Sequence, residues 1–307
     1  MINDKFNPIN SLKLVGLSKH FLNISRFYKS EKKPSVLLLS GEKGIGKSTL
    51  VHHLMYYLFD EKNYNNKDFS IDSNSSFYKK YKDQVIENII LFEKKSNSTV
   101  KIDDIRALKE KISKSTLNNL PRFIIFDEIE TYNVNSLNAL LKTIEEPKEN
   151  YFILIDNRTI DLIETIKSRS IRYNVILGED KKKEIKEFLV KKNELKISIP
   201  LEYVGLTPGT FLHLCEICER NKISLLSEEL TYNVERILNI YKKEKNSYLI
   251  TLLNILISNH FFEKIKKEES LIDIFYQKKL EILNDINQFS KFNINNKLTI
   301  NNIINKL

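Results

Sequence analysis

Two cysteines in 307 residues, Cys215 and Cys218, exclude a disulfide framework at this length. A reducing cytoplasm is the setting such a chain is expected in. Every apolar run is short and broken by charge, so none reads as a membrane-spanning helix. The first ten residues, Met1 to Asn10, have no apolar core, and no secretory signal is expected there. Tryptophan is absent and glycine and proline are scarce, at 7 and 6 residues, which excludes a Gly/Pro-rich low-complexity chain. No internal repeat is visible.

What is present is enough apolar material for real cores, 41% hydrophobic and 10% aromatic residues, in a length that suits two or three domains. Lys plus Arg outnumber Asp plus Glu by 49 to 40, a net charge of +9. That balance permits contact with nucleic-acid phosphates and equally describes a solvated surface.

The first half alternates short continuous apolar runs with helical periodicity. Val36–Leu39, Ile89–Phe92, Phe123–Phe126 and Tyr151–Ile155 lack polar alternation, as strands buried on both faces do. Between them, Leu50, Val51, Leu54, Met55 and Leu58 share a helix face, as do Ile105, Leu108 and Ile112. Leu137, Leu140, Leu141 and Ile144 form a third such face, ended by Pro147. The alternation predicts an α/β domain with a parallel sheet. The polar stretch Asn63–Ser76 reads as an exposed loop. Beyond Gly178 the pattern is helical. Glu179–Lys192 is expected to turn Ile185, Phe188 and Leu189 inward, with Lys181, Lys182 and Lys183 on a solvated face. Thr207-Pro208-Gly209 opens another helix, and the chain from about Ser224 onward reads as wholly helical.

The strongest motif is Gly41-Glu42-Lys43-Gly44-Ile45-Gly46-Lys47-Ser48, a full match to G-x-x-x-x-G-K-[ST] between a strand and an amphipathic helix. Gly41, Gly44 and Gly46 let backbone N–H groups turn around phosphate oxygens, and the helix N-terminus adds its dipole. Lys47 would reach the terminal phosphates, Thr49 would lie in the helix's first turn, and Ser48 would hold Mg²⁺ beside ATP. A second motif, Ile124-Ile125-Phe126-Asp127-Glu128, ends a strand with two carboxylates. Asp127 is the candidate second Mg²⁺ ligand and Glu128 the candidate base or water-orienting residue.

Asn135–Pro147 reads N-S-L-N-A-L-L-K-T-I-E-E-P and resembles the N-A-L-L-K-x-L-E-E-P signature of AAA+ clamp-loader subunits of the bacterial replicase. Ser168-Arg169-Ser170 resembles the family's S-R-C motif with serine replacing cysteine. Tyr151–Arg158 fits the family's sensor 1 strand, with Asn157 as the candidate sensor. Leu17–Tyr28, Val204–Leu214 and Phe292–Leu307 resemble the family's first helix, the last lid helix and the final collar helix. The resemblance implies an AAA+ nucleotide-binding domain at 1–176, a helical lid at 177–222 and an oligomerising helical collar at 223–307. It implies a hetero-pentameric ring with motor and delta subunits, loading a sliding clamp onto primed DNA through backbone contacts, away from any membrane. In that ring Arg169 would be an arginine finger serving a neighbour's ATP, with Arg172 close by as an alternative phosphate contact.

Three departures bear on activity. Asp60–Val85 holds no cysteine where the family commonly carries a four-cysteine zinc module, so no zinc is expected. Thr210 stands where the sensor 2 arginine follows Pro-Gly. The chain ends with the collar, where motor subunits often continue. These favour a stator with weak or absent ATPase activity over an ATP-hydrolysing motor, or another AAA+ replication or repair ATPase. A small-molecule kinase would share only the phosphate loop. The remaining candidates have plainer readings: Cys215, Cys218 and His213 as residues of a helix rather than zinc ligands, and His52 and His53 on different helix faces.

Overall fold

The computed structural model describes residues 6–92, 100, 102–113, 116, 120–147, 149–203, 205–226, 228–292 and 296–307. Of the segments read from the sequence, Met1 to Lys5, Val204 at the start of the expected lid helix, and 293–295 in the expected final helix lie outside them. The chain divides into two compact units, 1–177 and 178–307.

The first unit is built on five parallel strands. In chain order these are β1 (Val36–Ser40), β4 (Ile89–Phe92), β5 (Arg122–Phe126), β6 (Asn150–Asp156) and β7 (Ile171–Asn174), arranged β4-β5-β6-β1-β7. Every residue of β1 and β5 is buried, which accounts for their unbroken apolar sequences. β7 was not legible as a strand: it lies at the sheet edge, and Ile171 is half exposed.

One face of the sheet carries α4 (Ile102–Ile112), α5 (Val134–Ile144) and α6 (Glu164–Ser168). Their Ile105, Leu108, Leu137, Leu140 and Ile166 pack with Val36, Leu38, Ile124, Phe126, Phe152 and Leu154. Each such side chain contributes about 1.5–3 kcal/mol by leaving water. On the other face lies α2 (Lys47–Phe59), whose Val51 and His52 adjoin Leu91, Ile125 and Ile155. α1 (Ser18–Lys29) packs against α2, its Phe21 ring stacked 5.3 Å from Tyr64. With neighbours on both sides, α2 buries residues nearly all round, including both histidines.

Asn63–Ser76 differs from the expected loop. Tyr64–Asn65 (β2) and Ser70–Ile71 (β3) form a small antiparallel hairpin, with Tyr64 and Ile71 buried, and α3 (Ser76–Lys82) follows at once. Aromatic anchoring overrides the polar composition: Tyr64 packs on Phe21, Tyr57 and His53. His53 Nε2 lies 2.8 Å from the Ser11 carbonyl and must donate to it, so Nδ1 accepts from the Tyr64 hydroxyl at 3.1 Å. His52 Nδ1 lies 2.7 Å from the Tyr81 hydroxyl, and burial brings its pKa down to about 3. Both histidines are thus hydrogen-bonded parts of the core.

The second unit holds α7 (Glu179–Asn193), α8 (Pro208–Arg220), α9 (Leu230–Glu244), α10 (Ser247–Lys267), α11 (Ile272–Phe292) and α12 (Asn296–Lys306). Pro208 opens α8 at its first position, where a missing N–H costs nothing, and the Asn246 side chain accepts from Tyr248 N–H to cap α10. One continuous core runs from Ile199 and Phe211 through Leu238, Leu252 and Phe261 to Ile286 and Ile303.

Two expectations for α7 need correction. Ile185 is buried, but Phe188 is exposed, and Lys182 and Lys186 are buried in its place. Lys186 Nζ donates to the Leu201 carbonyl at 2.6 Å and lies over the Phe211 ring, while Lys182 pairs with Glu179 at 2.9 Å. A lysine satisfied by a carbonyl or a carboxylate can occupy the inner face, which periodicity does not foresee.

Cys215 and Cys218 are free and buried beside Phe211 and Leu214, and no metal-binding cluster exists among the described residues. Burial pushes their thiols up to about 11 and 12. Both should therefore react with iodoacetamide at neutral pH at least about tenfold more slowly in the native protein than in denaturant. Mass spectrometry of timed alkylations checks this, and rapid native labelling would contradict the packing of α8.

Candidate functional site

Strand register gathers the site. Ser40, the last residue of β1, lies opposite Asp156 on one side and Asn174 on the other, while Phe126 pairs with Leu154 one strand further along. The chain leaves β1 into the phosphate loop at the carboxyl edge where β5 delivers Asp127 and Glu128. Gly41 is required there by fit and Gly46 by its backbone angle. A Cβ on Gly41 would stand 2.5 Å from the Val175 carbonyl oxygen, and one on Gly46 would stand 2.8 Å from Leu17 Cδ1, at a φ of +103°.

Lys47 begins α2 with its side chain buried, and Nζ donates to the Gly41 and Glu42 carbonyls, both at 2.8 Å. Burial brings its pKa down to about 8, against the pull of Asp127, Glu130 and Asp156. The Ser48 hydroxyl donates to Asp127 Oδ2 at 2.7 Å, and Glu128 N–H donates to Asp127 Oδ1 at 2.9 Å. Burial pushes the Asp127 carboxyl above the usual carboxylate range despite those bonds. A cation beside it would relieve that cost. Ser48 and Asp127 together are two hard oxygen donors of the kind Mg²⁺ takes. Thr49 lies partly buried in the first turn of α2, whose leading N–H groups have no acceptor within the helix.

Glu128 has φ +51° and its carboxylate lies 2.7 Å from Lys43 Nζ. Asn157 is buried just beyond β6. Three residues near it escaped the sequence reading. Asp156 is buried and accepts from Arg158 N–H at 2.9 Å. Glu130 is also buried; it accepts from the Thr159 hydroxyl at 3.0 Å, and its Oε2 has no hydrogen-bond partner. Lys43 occupies a variable position of its motif. Only the aspartate at the end of an apolar run carried a sequence signal.

Arg169 is elsewhere. It terminates α6, two residues before Ile171, which pairs with Leu37 near the start of β1. At about 3.3 Å per residue, Ile171 lies roughly 10 Å below Asn174 and Ser40 along the strands, with Arg169 preceding it. Its Nε and its second terminal nitrogen lie 2.8 Å from Glu145 Oε1, and its first donates to the Thr165 carbonyl at 3.2 Å. Arg172 is exposed on β7 and lines a 340 Å³ cavity with Arg158 and Lys167. In the second unit, Thr210 lies in the first turn of α8, its hydroxyl 2.9 Å from that of Thr207.

Gly41→Ala and Gly46→Ala should each destabilise the protein by about 1–3 kcal/mol, the range of an overpacked core position. The exposed control Lys33→Ala should change stability by less than about 0.5 kcal/mol. Thermal denaturation followed by circular dichroism measures all three.

The profile of the family described as "DNA polymerase III, delta subunit" matches residues 17–176, just over half of the chain. DNA polymerase III subunit delta' of Buchnera aphidicola subsp. Schizaphis graminum is 29% identical over 166 residues, 54% of this chain and 50% of that protein. DNA polymerase III subunit gamma of the same organism is 26% identical over 259 residues, 80% of this chain and 68% of that protein. The chain spans about half the length of the delta' relatives it matches. Among solved structures, a DNA polymerase III gamma subunit-related protein from Thermotoga maritima superposes with a TM-score of 0.51 at 20% identity, covering 93% of this chain and 97% of that one, which shows a shared fold. With that profile matched over more than half of its length, the chain belongs to the DNA polymerase III, delta subunit family.

Proposed function

We propose that the chain is a delta-prime-like stator of the bacterial clamp loader, which supplies Arg169 to the ATP site of a neighbouring motor subunit. The observation that carries this reading is the place of Arg169. Its backbone stands at the amino edge of β7, while the chain's own phosphate loop leaves the carboxyl edge of β1. An arginine side chain does not span that separation, which supports a role for the S-R-S motif toward a ligand held by another molecule. A guanidinium delivered in this way stabilises charge developing on the transferred phosphoryl group.

The remaining assignment follows the family pattern. Residues 1–176 are the AAA+ module, 177–222 the lid and 223–307 the collar, through which the chain would join motor and delta subunits in a hetero-pentameric ring. The ring would grip a sliding clamp and meet primed DNA through its backbone phosphates, in the cytoplasm. No helix among the described residues is long and apolar enough to cross a membrane.

ATP would sit on Gly41, Gly44, Gly46, Lys47, Ser48 and Thr49. Mg²⁺, held by Ser48 and Asp127, would neutralise phosphate charge there. Asn157 is the sensor 1 candidate and Glu128 the group that would orient water. Thr210 offers no guanidinium at the sensor 2 position, which supports weak hydrolysis by this subunit. The intact Lys47, Ser48 and Asp127 constellation favours a second reading, a motor subunit with its own turnover.

Clamp loading by a reconstituted ring separates the two. Arg169→Ala should slow ATP hydrolysis at the neighbouring motor site by about 10³-fold or more and stop loading, while Lys47→Ala should leave loading near wild type. Loss of loading with Lys47→Ala would make the chain a motor. If wild-type chain fails to join the ring, the clamp-loader assignment is wrong.

A further inference from the structure

Lys43 belongs to the phosphate loop but to none of the positions that its motif specifies. Its ammonium nevertheless lies 2.7 Å from Glu128 Oε1. Glu128 adopts φ +51° and ψ +43°, a left-handed conformation that costs a non-glycine residue about 1–2 kcal/mol. Such strain persists only where surrounding contacts hold it, and it concentrates at functional sites. The pair is half in solvent, with side-chain exposures of 44% and 23%. A pair in that setting is worth about 0–1 kcal/mol.

A second observation couples this pair to the phosphate position. Lys47 holds the carbonyls of Gly41 and Glu42, the two residues preceding Lys43, at 2.8 Å each. The side chain meant for phosphate thus fixes the loop conformation that presents Lys43 to Glu128.

We propose that Lys43 is the positioning residue for Glu128. It holds the carboxylate against the loop and away from attacking water, with a nucleoside triphosphate bound as well as in the empty loop. The proposal rests on the nucleotide reading above. In the step concerned, the water oxygen forms a bond to the γ-phosphorus as the bond from that phosphorus to the β,γ-bridging oxygen breaks. The water's proton passes to Glu128, and the nucleoside diphosphate and phosphate leave. With Lys43 retaining Glu128 after binding, turnover is slow while affinity is kept, as a stator that holds nucleotide would require.

The test uses the full chain alone with Mg²⁺ and ATP. A fluorescent ATP analogue gives affinity, and single-turnover hydrolysis of radiolabelled ATP gives the rate per bound nucleotide. Lys43→Ala and Lys43→Gln should each raise that rate about 2–5-fold, within the range that loss of a half-exposed pair allows, with little change in affinity. Lys43→Arg, which keeps the cation, should restore the slow rate. In a Glu128→Gln background the gain should vanish, a dependence that a purely structural lysine would not produce. An unchanged or lower rate at intact affinity, or a gain that survives Glu128→Gln, overturns the role of Lys43 and leaves the nucleotide reading standing. Failure of every form, wild type included, to bind the analogue overturns both.

Discussion

The parallel pairing of β1 with β6 on one side and β7 on the other is the constraint from which the rest of the first unit follows. It aligns Ser40, Asp156 and Asn174 at one edge of the sheet, so the loop leaving β1 meets the carboxylates leaving β5 and β6. It also brings Val175 against Gly41, where a side chain has no room. The same pairing holds the residues preceding β7 at the opposite edge, which is why Arg169 bonds to Glu145 at the end of α5 and not to anything in the phosphate loop. A one-residue slip would break this alignment and turn every inward side chain of β1 to the other face.

Charge in the loop is organised around burial. Lys47 is taken out of water at a cost that lowers its pKa, and Asp127 is taken out at a cost that raises its own. Neither cost is cancelled by a direct bond between the two. Lys47 spends its protons on carbonyls and Asp127 is held by a hydroxyl and a backbone N–H. Each group therefore keeps a charge imbalance that an incoming anion with its counter-cation can satisfy. Desolvated, pre-positioned groups are what a phosphate site needs, and a fully self-paired set would gain nothing from ligand.

The second unit depends on different physics. Its helices share one apolar core, and three of its cations are satisfied locally: buried Lys186 by the Leu201 carbonyl, buried Lys182 by Glu179, and partly buried Arg236 by Glu228 at 3.1 Å and the Asn221 carbonyl. The cysteines act as small apolar side chains within it.

By itself the sequence determined the central strands, the phosphate loop with its helix, the aspartate ending β5 and the helical C-terminal region. Each rests on local rules: an unbroken apolar run, glycine where φ is positive or a Cβ has no room, proline at a helix start, and a 3.6-residue apolar period. Tertiary structure decided the rest, because partners far apart in sequence set it. The edge strand β7 exists through β1, since Ile171 is too exposed to announce itself. Polar 63–76 folds into a hairpin because Tyr64 finds Phe21 and His53. Buried Lys182 and Lys186 displace Phe188 from the inner face of α7 because carboxylate and carbonyl partners await them. The pairing of Lys43 with Glu128 and the distance of Arg169 from its own phosphate loop likewise depend on strand register, which no local pattern encodes.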